Sequence, residues 1–299
     1  MVDKFKLYRY TFCRVLHKVG LLKYFNFNLT RHGEQKKILI PIQSELGYFN
    51  LTSGEVWLKW ILQDLKKNID GVFVDIGVNL GQSLILHYAL DIKNTYLGFE
   101  PNPTCYAYSR KLIKANKLQH YHLVPTGLSG NHSIVKLFGN LEHASGGSIL
   151  ENFRNNKEKF NKVVQYVSVM KGDDALKEID LKEKIGLLKI DVEGAELDVL
   201  SGLTETIQKD KPLMIVEALP IYSTETENGR FRKQRVDSLL KLLKELNYYM
   251  YLIVEKSFQL KRINTIEVHS NMSETNYLFV HEDRIHEVED SLETYKLIS

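Results

Sequence analysis

The sequence predicts an α/β fold: a seven-stranded, mostly parallel sheet with helices on both faces, preceded by a small N-terminal helical and β-hairpin cap. Two observations predict it. From residue 71 the chain repeats a short apolar run, a glycine-containing turn and a stretch of helical period, the pattern of parallel strands joined by right-handed crossovers. Late in the chain two more apolar runs, 250–254 and 277–280, are joined by a polar stretch without an apolar helical stripe, so they are expected to pair antiparallel and complete the sheet.

The elements follow in order. Residues 4–24 place Phe5, Tyr8, Phe12, Val15, Leu16, Val19 and Leu22 at helical spacing, with Lys4, Lys6, Arg9, Arg14, Lys18 and Lys23 largely between them. Such a basic amphipathic helix can make peripheral contact with an anionic membrane, but more often its apolar stripe packs on its own domain, and that is the expectation. Runs 37–42 and 48–51 read as two short strands around the turn Glu45-Leu46-Gly47, and 55–67 as a helix. Residues 1–69 are therefore a helix and cap, and 70–299 the main domain. In that domain strands are expected at 72–76, 95–100, 121–125, 186–191 and 213–217, with helices near 80–90, 103–116, 194–209 and 231–246. Between the third and fourth parallel strands, residues 131–172 carry alternating segments 133–138 and 163–170 around the loop Ser145-Gly146-Gly147-Ser148. They are expected to form a β insertion near the active site.

Composition narrows the function. With 299 residues and 43% hydrophobic content the chain can bury a sizeable core. Forty Lys and Arg against 37 Asp and Glu leave a formal charge of +3, which calls for no nucleic-acid partner. Cys13 and Cys105 stand far apart with no CxxC pair, giving neither a disulfide framework nor a zinc site. No signal-peptide pattern or apolar window of spanning length is present, so a cytoplasmic location is expected. The oligomeric state is open.

The sharpest motif is Val72-Phe-Val-Asp-Ile-Gly-Val-Asn-Leu-Gly81, an apolar strand ending in Asp75 with Gly77, Asn79 and Gly81 in the turn behind it. Open α/β sheets bind ligands at the carboxyl ends of their strands, and glycine lets a ligand approach the backbone there. A dinucleotide turn reads GxGxxG and seats a pyrophosphate, which the charge of Asp75 would repel. A cationic ligand gains from it, and S-adenosylmethionine carries an ammonium and a sulfonium; Asp75 is expected to hold the ammonium directly or through water. Thr95-Tyr-Leu-Gly-Phe-Glu100 is the next strand, and a terminal acid there can accept both ribose hydroxyls, though nicotinamide-dependent oxidoreductases place an acid similarly. A purely structural reading makes Gly77 and Gly81 a tight turn with Asp75 as a helix cap.

A third segment, Gly186-Leu-Leu-Lys-Ile-Asp-Val-Glu-Gly-Ala-Glu196, puts Lys189, Asp191 and Glu193 around the end of a buried strand. Charges beside an apolar run are costly unless paired or functional. Taken with VFVDIGVNLGQ, the GFEPNP of 98–103, the SGGSIL of 145–150, LLKIDVEGAELDVL of 187–200 and IVEALP of 215–220, the sequence resembles the FkbM family of methyltransferases over about residues 70–255. The resemblance implies a class I methyltransferase, Rossmann-like fold and S-adenosylmethionine as donor. It also implies O-methylation of a sugar, glycan or natural-product acceptor.

Carried over by position, it implies Asp75, Gly77, Asn79 and Gly81 at the methionine end, Glu100 and Asn102 at ribose and adenine, and Lys189, Asp191 and Glu193 at the acceptor side. One departure is Met170-Lys-Gly-Asp-Asp174, where family members tend to carry Thr-Leu-Asp-Asp; Asp173 survives. A sugar hydroxyl is weakly acidic, so Asp191 or Glu193 is expected to act as base with Lys189 orienting it; a divalent metal held between two carboxylates is the other route. Glu217 is a further acceptor-side candidate, while Glu196 and Asp198 read as helix surface. His143 could act as a base but reads as an ordinary solvated loop histidine, and Tyr48, Phe49 and Trp57 read as anchors of the cap. A scaffold that binds the cofactor without transferring a methyl group is the non-catalytic alternative.

Overall fold

The computed structural model describes residues 4–32, 36–52, 55–140, 143–151 and 162–291. Its main sheet holds β3 (Val72–Ile76), β4 (Tyr96–Phe99), β5 (Tyr121–Val124), β10 (Ile185–Ile190), β11 (Leu213–Glu217), β12 (Tyr248–Val254), β13 (Gln259–Ile263) and β14 (Asn276–His281). The order across it is β13-β12-β14-β11-β10-β3-β4-β5. The five strands β11, β10, β3, β4 and β5 run parallel, and β14 and β12 add antiparallel as expected. Every residue of β3 and β10 is buried, as in strands covered on both faces.

The sheet has eight strands rather than the seven expected. The additional one, β13, pairs with the outer edge of β12, and only Leu260 in it is buried. Leu260 and the partly buried Ile263 stand three apart in Gln-Leu-Lys-Arg-Ile, which leaves no alternation to read.

Helices cover both faces. α4 (Gln82–Ala89), α5 (Pro103–Ala115) and α9 (Glu227–Glu245) lie where the period placed them. The helix expected over 194–209 is two, α7 (Glu196–Gly202) and α8 (Thr204–Asp210). At the break a Cβ on Gly202 would lie 1.9 Å from the Ser129 carbonyl oxygen, so only glycine lets the two backbones pass this closely. A short helix, α6 (Gly172–Ile179), was not foreseen.

The N-terminal segment departs further. β2 (Lys37–Gln43) pairs antiparallel with the upstream β1 (Asn26–His32), not with 48–51. Tyr48–Thr52 is instead a helical turn, α2. The second edge of β2 is already occupied: Asn116, just past α5, donates to the Leu39 carbonyl and accepts from the Leu39 N–H, both at 2.8 Å. The helix expected at 55–67 is α3 (Val56–Leu65). Its Leu58, Ile61, Leu62 and Leu65 bury with Ile40, Ile42, Phe73 and Leu187, so the N-terminal elements and one face of the main sheet share one core. The other face, through Val74, Leu188 and Met214, packs on α6 to α9.

The basic helix is α1 (Lys4–Lys18), followed by a 3-10 turn at Leu22–Tyr24. Packing of its apolar stripe holds only in part. Cys13, Leu16 and Leu22 are buried, whereas Phe12, Val15 and Val19 stand exposed. No helix among the described residues is long and apolar enough to cross a membrane.

The insertion forms a second sheet from β6 (Gly127–Ser129), β7 (Ser133–Asn140), β8 (His143–Ser148) and β9 (Lys162–Lys171), ordered β6-β9-β7-β8. The side chains of His143 and Ser145 lie outside the described residues.

Candidate functional site

The chain leaves β3 toward β4 and β5 on one side, while β10 and β11 lie on the other, so the sheet changes direction at β3. A crevice opens at such a point. Here it encloses about 830 Å³ of empty space, counting its open mouth, between the ends of β3, β4, β10 and β11 and the insertion sheet. Gly77, Asn79, Glu100, Asn102, Asp191, Glu193 and Glu217 line it, and Leu137, Gly147, Ile149 and Val169 of the insertion close one wall. Among the described residues the lining holds four carboxylic side chains and no Lys, Arg or His.

At the β3–β4 end the backbone sets the geometry. Gly77 has φ +91°, and a Cβ there would meet the Asp191 carbonyl oxygen at 1.9 Å. The β3 and β10 loops can approach this closely only with glycine. Glu100 accepts from the Asn79 N–H at 2.7 Å and from the Asn102 N–H at 2.8 Å. Burial raises its carboxyl to about pKa 7, against the pull of those two donors. Asn102 is the N-cap of α5, accepting from the Thr104 N–H at 3.0 Å and from Gln165 at 3.2 Å. Gly81, with φ +80°, starts α4 and packs on Leu112 outside the cavity lining.

Asp75 sits deeper than the strand-end spacing suggests: its carboxylate is fully buried and is not among the described residues that line the cavity. It accepts from the Tyr96 hydroxyl and faces the Lys189 ammonium at 3.7 Å. Burial pushes its pKa up, partly opposed by Lys189 and Tyr96. Lys189 thus links the buried Asp75 to Asp191, which lines the cavity.

At the β10–β11 end side chains set the geometry. Lys189 donates to Asp191 at 3.1 Å. Burial alone would lower the Lys189 pKa, but the charges of Asp191, Asp75 and Glu55 outweigh it and hold the ammonium charged. Asp191 is half-exposed and lines the cavity. Register pairs Ile190 with Val216, so Asp191 and Glu217 emerge side by side from neighbouring strands. Glu217 is pushed far above the usual carboxylate range by burial, by the charge of Asp191 and by a hydrogen bond between the two. The two adjacent carboxyls therefore disfavour ionising together. Glu193, with φ +54°, also lines the cavity, and its carbonyl accepts from the Ser148 hydroxyl at 2.7 Å, tying the insertion to this loop.

Other sequence readings resolve differently. Glu196 is buried rather than surface: it accepts from the Gly194 N–H at 2.7 Å, and burial raises it to about pKa 7. Asp198 pairs with Arg235. Asp173, in the departing motif, accepts from the N–H groups of Glu205 and Thr206 at the start of α8 and is structural. Tyr48 is buried and stacks on His17 at 4.1 Å, anchoring the N-terminal segment. None of Tyr48, Phe49 and Trp57 lines the cavity. Among the described residues no group of three or more His, Cys, Asp or Glu is placed to hold a metal.

One member went unread. Glu55, just before α3, is raised to about pKa 7 by burial, against the pull of Lys189, and its Oε2 has no hydrogen-bond partner. An isolated acid ahead of a helix reads as a cap, and nothing local links it to strands far along the chain.

A methyltransferase named sdnD from Sordaria araneosa is 34% identical over 163 residues, covering 44% of this chain and 60% of the relative. Methyltransferase 1 from Beauveria bassiana is 26% identical over 148 residues, covering 46% and 59%. The chain spans about 60% of the length of these curated relatives. Among solved structures, methyltransferase FkbM from Methylobacillus flagellatus aligns with a TM-score of 0.44 at 16% identity, covering 71% of this chain and 44% of that one. SAH-bound PaMTH1 from Podospora anserina aligns at 0.41 and 12%, covering 77% and 79%. The methyltransferase FkbM domain matches residues 75–250, from the carboxylate that ends β3 to the strand that pairs with β14, and the chain belongs to the FkbM methyltransferase family.

Proposed function

We propose that the protein transfers a methyl group from S-adenosylmethionine to a hydroxyl oxygen of a sugar, glycan or natural-product acceptor. The observation that carries this reading is the cleft lined, among the described residues, by Glu100, Asp191, Glu193 and Glu217 and by no cationic side chain. Such walls favour a cationic donor and disfavour the pyrophosphate of a dinucleotide or an anionic acceptor.

The residues present suit the donor. Glu100, already oriented by two N–H groups, keeps acceptor capacity for ribose hydroxyls. The Gly77–Asn79 backbone would hold the methionine end, and Asn102 with Gly127 and Leu128 the adenine end. When bound, S-adenosylmethionine supplies a methyl group on a positively charged sulfur.

The chain's own contribution is alignment and proton removal. Fixing the acceptor oxygen in line can supply about 7–11 kcal/mol of barrier reduction, more than a general base's typical factor of roughly 10²–10⁴. Asp191 takes the hydroxyl proton as the oxygen–methyl bond forms and the carbon–sulfur bond breaks. Lys189 holds Asp191 in place, and Glu217 carries the proton that keeps two adjacent carboxyls from ionising together.

Incubation with methyl-labelled S-adenosylmethionine and a panel of saccharides and polyols, read by mass spectrometry, tests the proposal. Label on a hydroxyl oxygen, lost in Asp191→Asn, is the expected result. Label on nitrogen, or transfer unaffected by Asp191→Asn, would overturn it.

A further inference from the structure

We infer that α1 and the turn after it form a docking surface for an anionic phospholipid bilayer. Phe12, Val15, Val19, Leu21, Tyr24 and Phe25 are all exposed, between 43% and 71% of their full area, within fourteen consecutive residues. Single exposed apolar side chains need no explanation, but a contiguous group of large ones marks an interaction surface.

The arrangement on the helix is specific. Phe12, Val15 and Val19 are three and four residues apart and share one stripe. Cys13 and Leu16, turned toward the protein, hold the helix down, with the Tyr10 hydroxyl donating to the Thr30 carbonyl at 2.9 Å. The stripe beside that attached face is left facing outward.

Charge identifies the occupant. Between Asp3 and Glu34 the chain has no Asp or Glu, while Arg14, Lys18 and Lys23 stand exposed around the apolar stripe. Lys23 also lies over the Tyr24 ring at 5.2 Å, an aromatic and a cation presented together. Large apolar groups among exposed cations match the boundary between acyl chains and negatively charged headgroups. A second copy of the chain matches less well, because a two-fold contact would bring the same cations onto one another. The whole chain carries only +3, so this concentration is local rather than a consequence of overall charge.

Co-sedimentation of the full chain with vesicles tests the inference. Vesicles of mixed phosphatidylglycerol and phosphatidylcholine should pellet the protein, pure phosphatidylcholine vesicles should not, and added salt should release it. Combined Phe12→Ser, Val15→Ser and Val19→Ser should abolish pelleting without lowering the melting temperature. Neutralising Arg14, Lys18 and Lys23 to Gln should weaken it about fivefold per residue. Failure to pellet with anionic vesicles overturns the inference, as does equal pelleting of the triple-serine protein. A concentration-dependent dimer in sedimentation velocity, dispersed by the serine substitutions, would assign the surface to a second copy instead.

Discussion

The two ends of the cleft are built by different means. At the β3–β4 end, Glu100 is fixed by two backbone N–H groups 2.7 and 2.8 Å away. At the β10–β11 end, Asp191 is fixed by Lys189, and its charge beside Glu217 disfavours ionisation of both carboxyls. Backbone donors neither titrate nor change rotamer, so the frame around Glu100 stays fixed although its own carboxyl titrates near 7. The second end depends on which carboxyl carries a proton. A rigid end suits recognition of an invariant donor, and a coupled end suits moving a proton from a variable acceptor.

Substitutions can break this contrast, and the largest effects belong to the coupled end. Asp191→Asn should lower turnover by roughly 10²–10⁴ while leaving donor affinity within a few-fold, measured by steady-state assay beside calorimetry. Lys189→Ala leaves Asp75 and Asp191 without their shared cation and should cost about 3–5 kcal/mol of stability in denaturant titration. At the rigid end, Glu100→Ala removes an acceptor from two N–H groups and from the ribose; donor affinity should fall by about 1.5–3 kcal/mol, with turnover at saturation changed less. Asn102→Ala removes the α5 cap and should cost about 1 kcal/mol of stability.

A pH series sharpens the same contrast through Glu55. Its folded pKa, about 7, lies above the ordinary 4.5, so the folded state holds a proton that the unfolded state releases between those values. The stability associated with that proton is complete below pH 4.5 and lost as pH rises through 7. Relative to the Glu55→Gln protein, the wild type should therefore lose melting temperature across that window and run parallel above it. Parallel curves throughout would remove Glu55 from the buried network.

Much of this was legible in the chain. Strands that are wholly buried and end in charge, such as Val72–Ile76 and Ile185–Ile190, announce both a parallel sheet and the residues at its rim. Glu100, Asp191 and Glu193 reach the cavity because strand ends fix where they emerge. What a strand end does not fix is which way its last side chain turns. Asp75 turns inward to Tyr96 and Lys189, a pairing between β3 and its two neighbours that spacing along one strand does not reveal. Glu55 and Glu196 depend on tertiary burial in the same way. Tyr48–Leu51 was misread because its apolar pattern fits a strand, and only the side chain of Asn116 shows that the edge it would have joined is taken.

The account rests on the cleft being a site for S-adenosylmethionine held through Glu100, and calorimetric titration tests that most directly. S-adenosylmethionine and S-adenosylhomocysteine should each bind saturably to the wild type, NAD should not, and Glu100→Ala should lose about 10- to 100-fold of the affinity for both. Binding of NAD alone, no binding of either sulfur ligand, or full affinity in Glu100→Ala would contradict it.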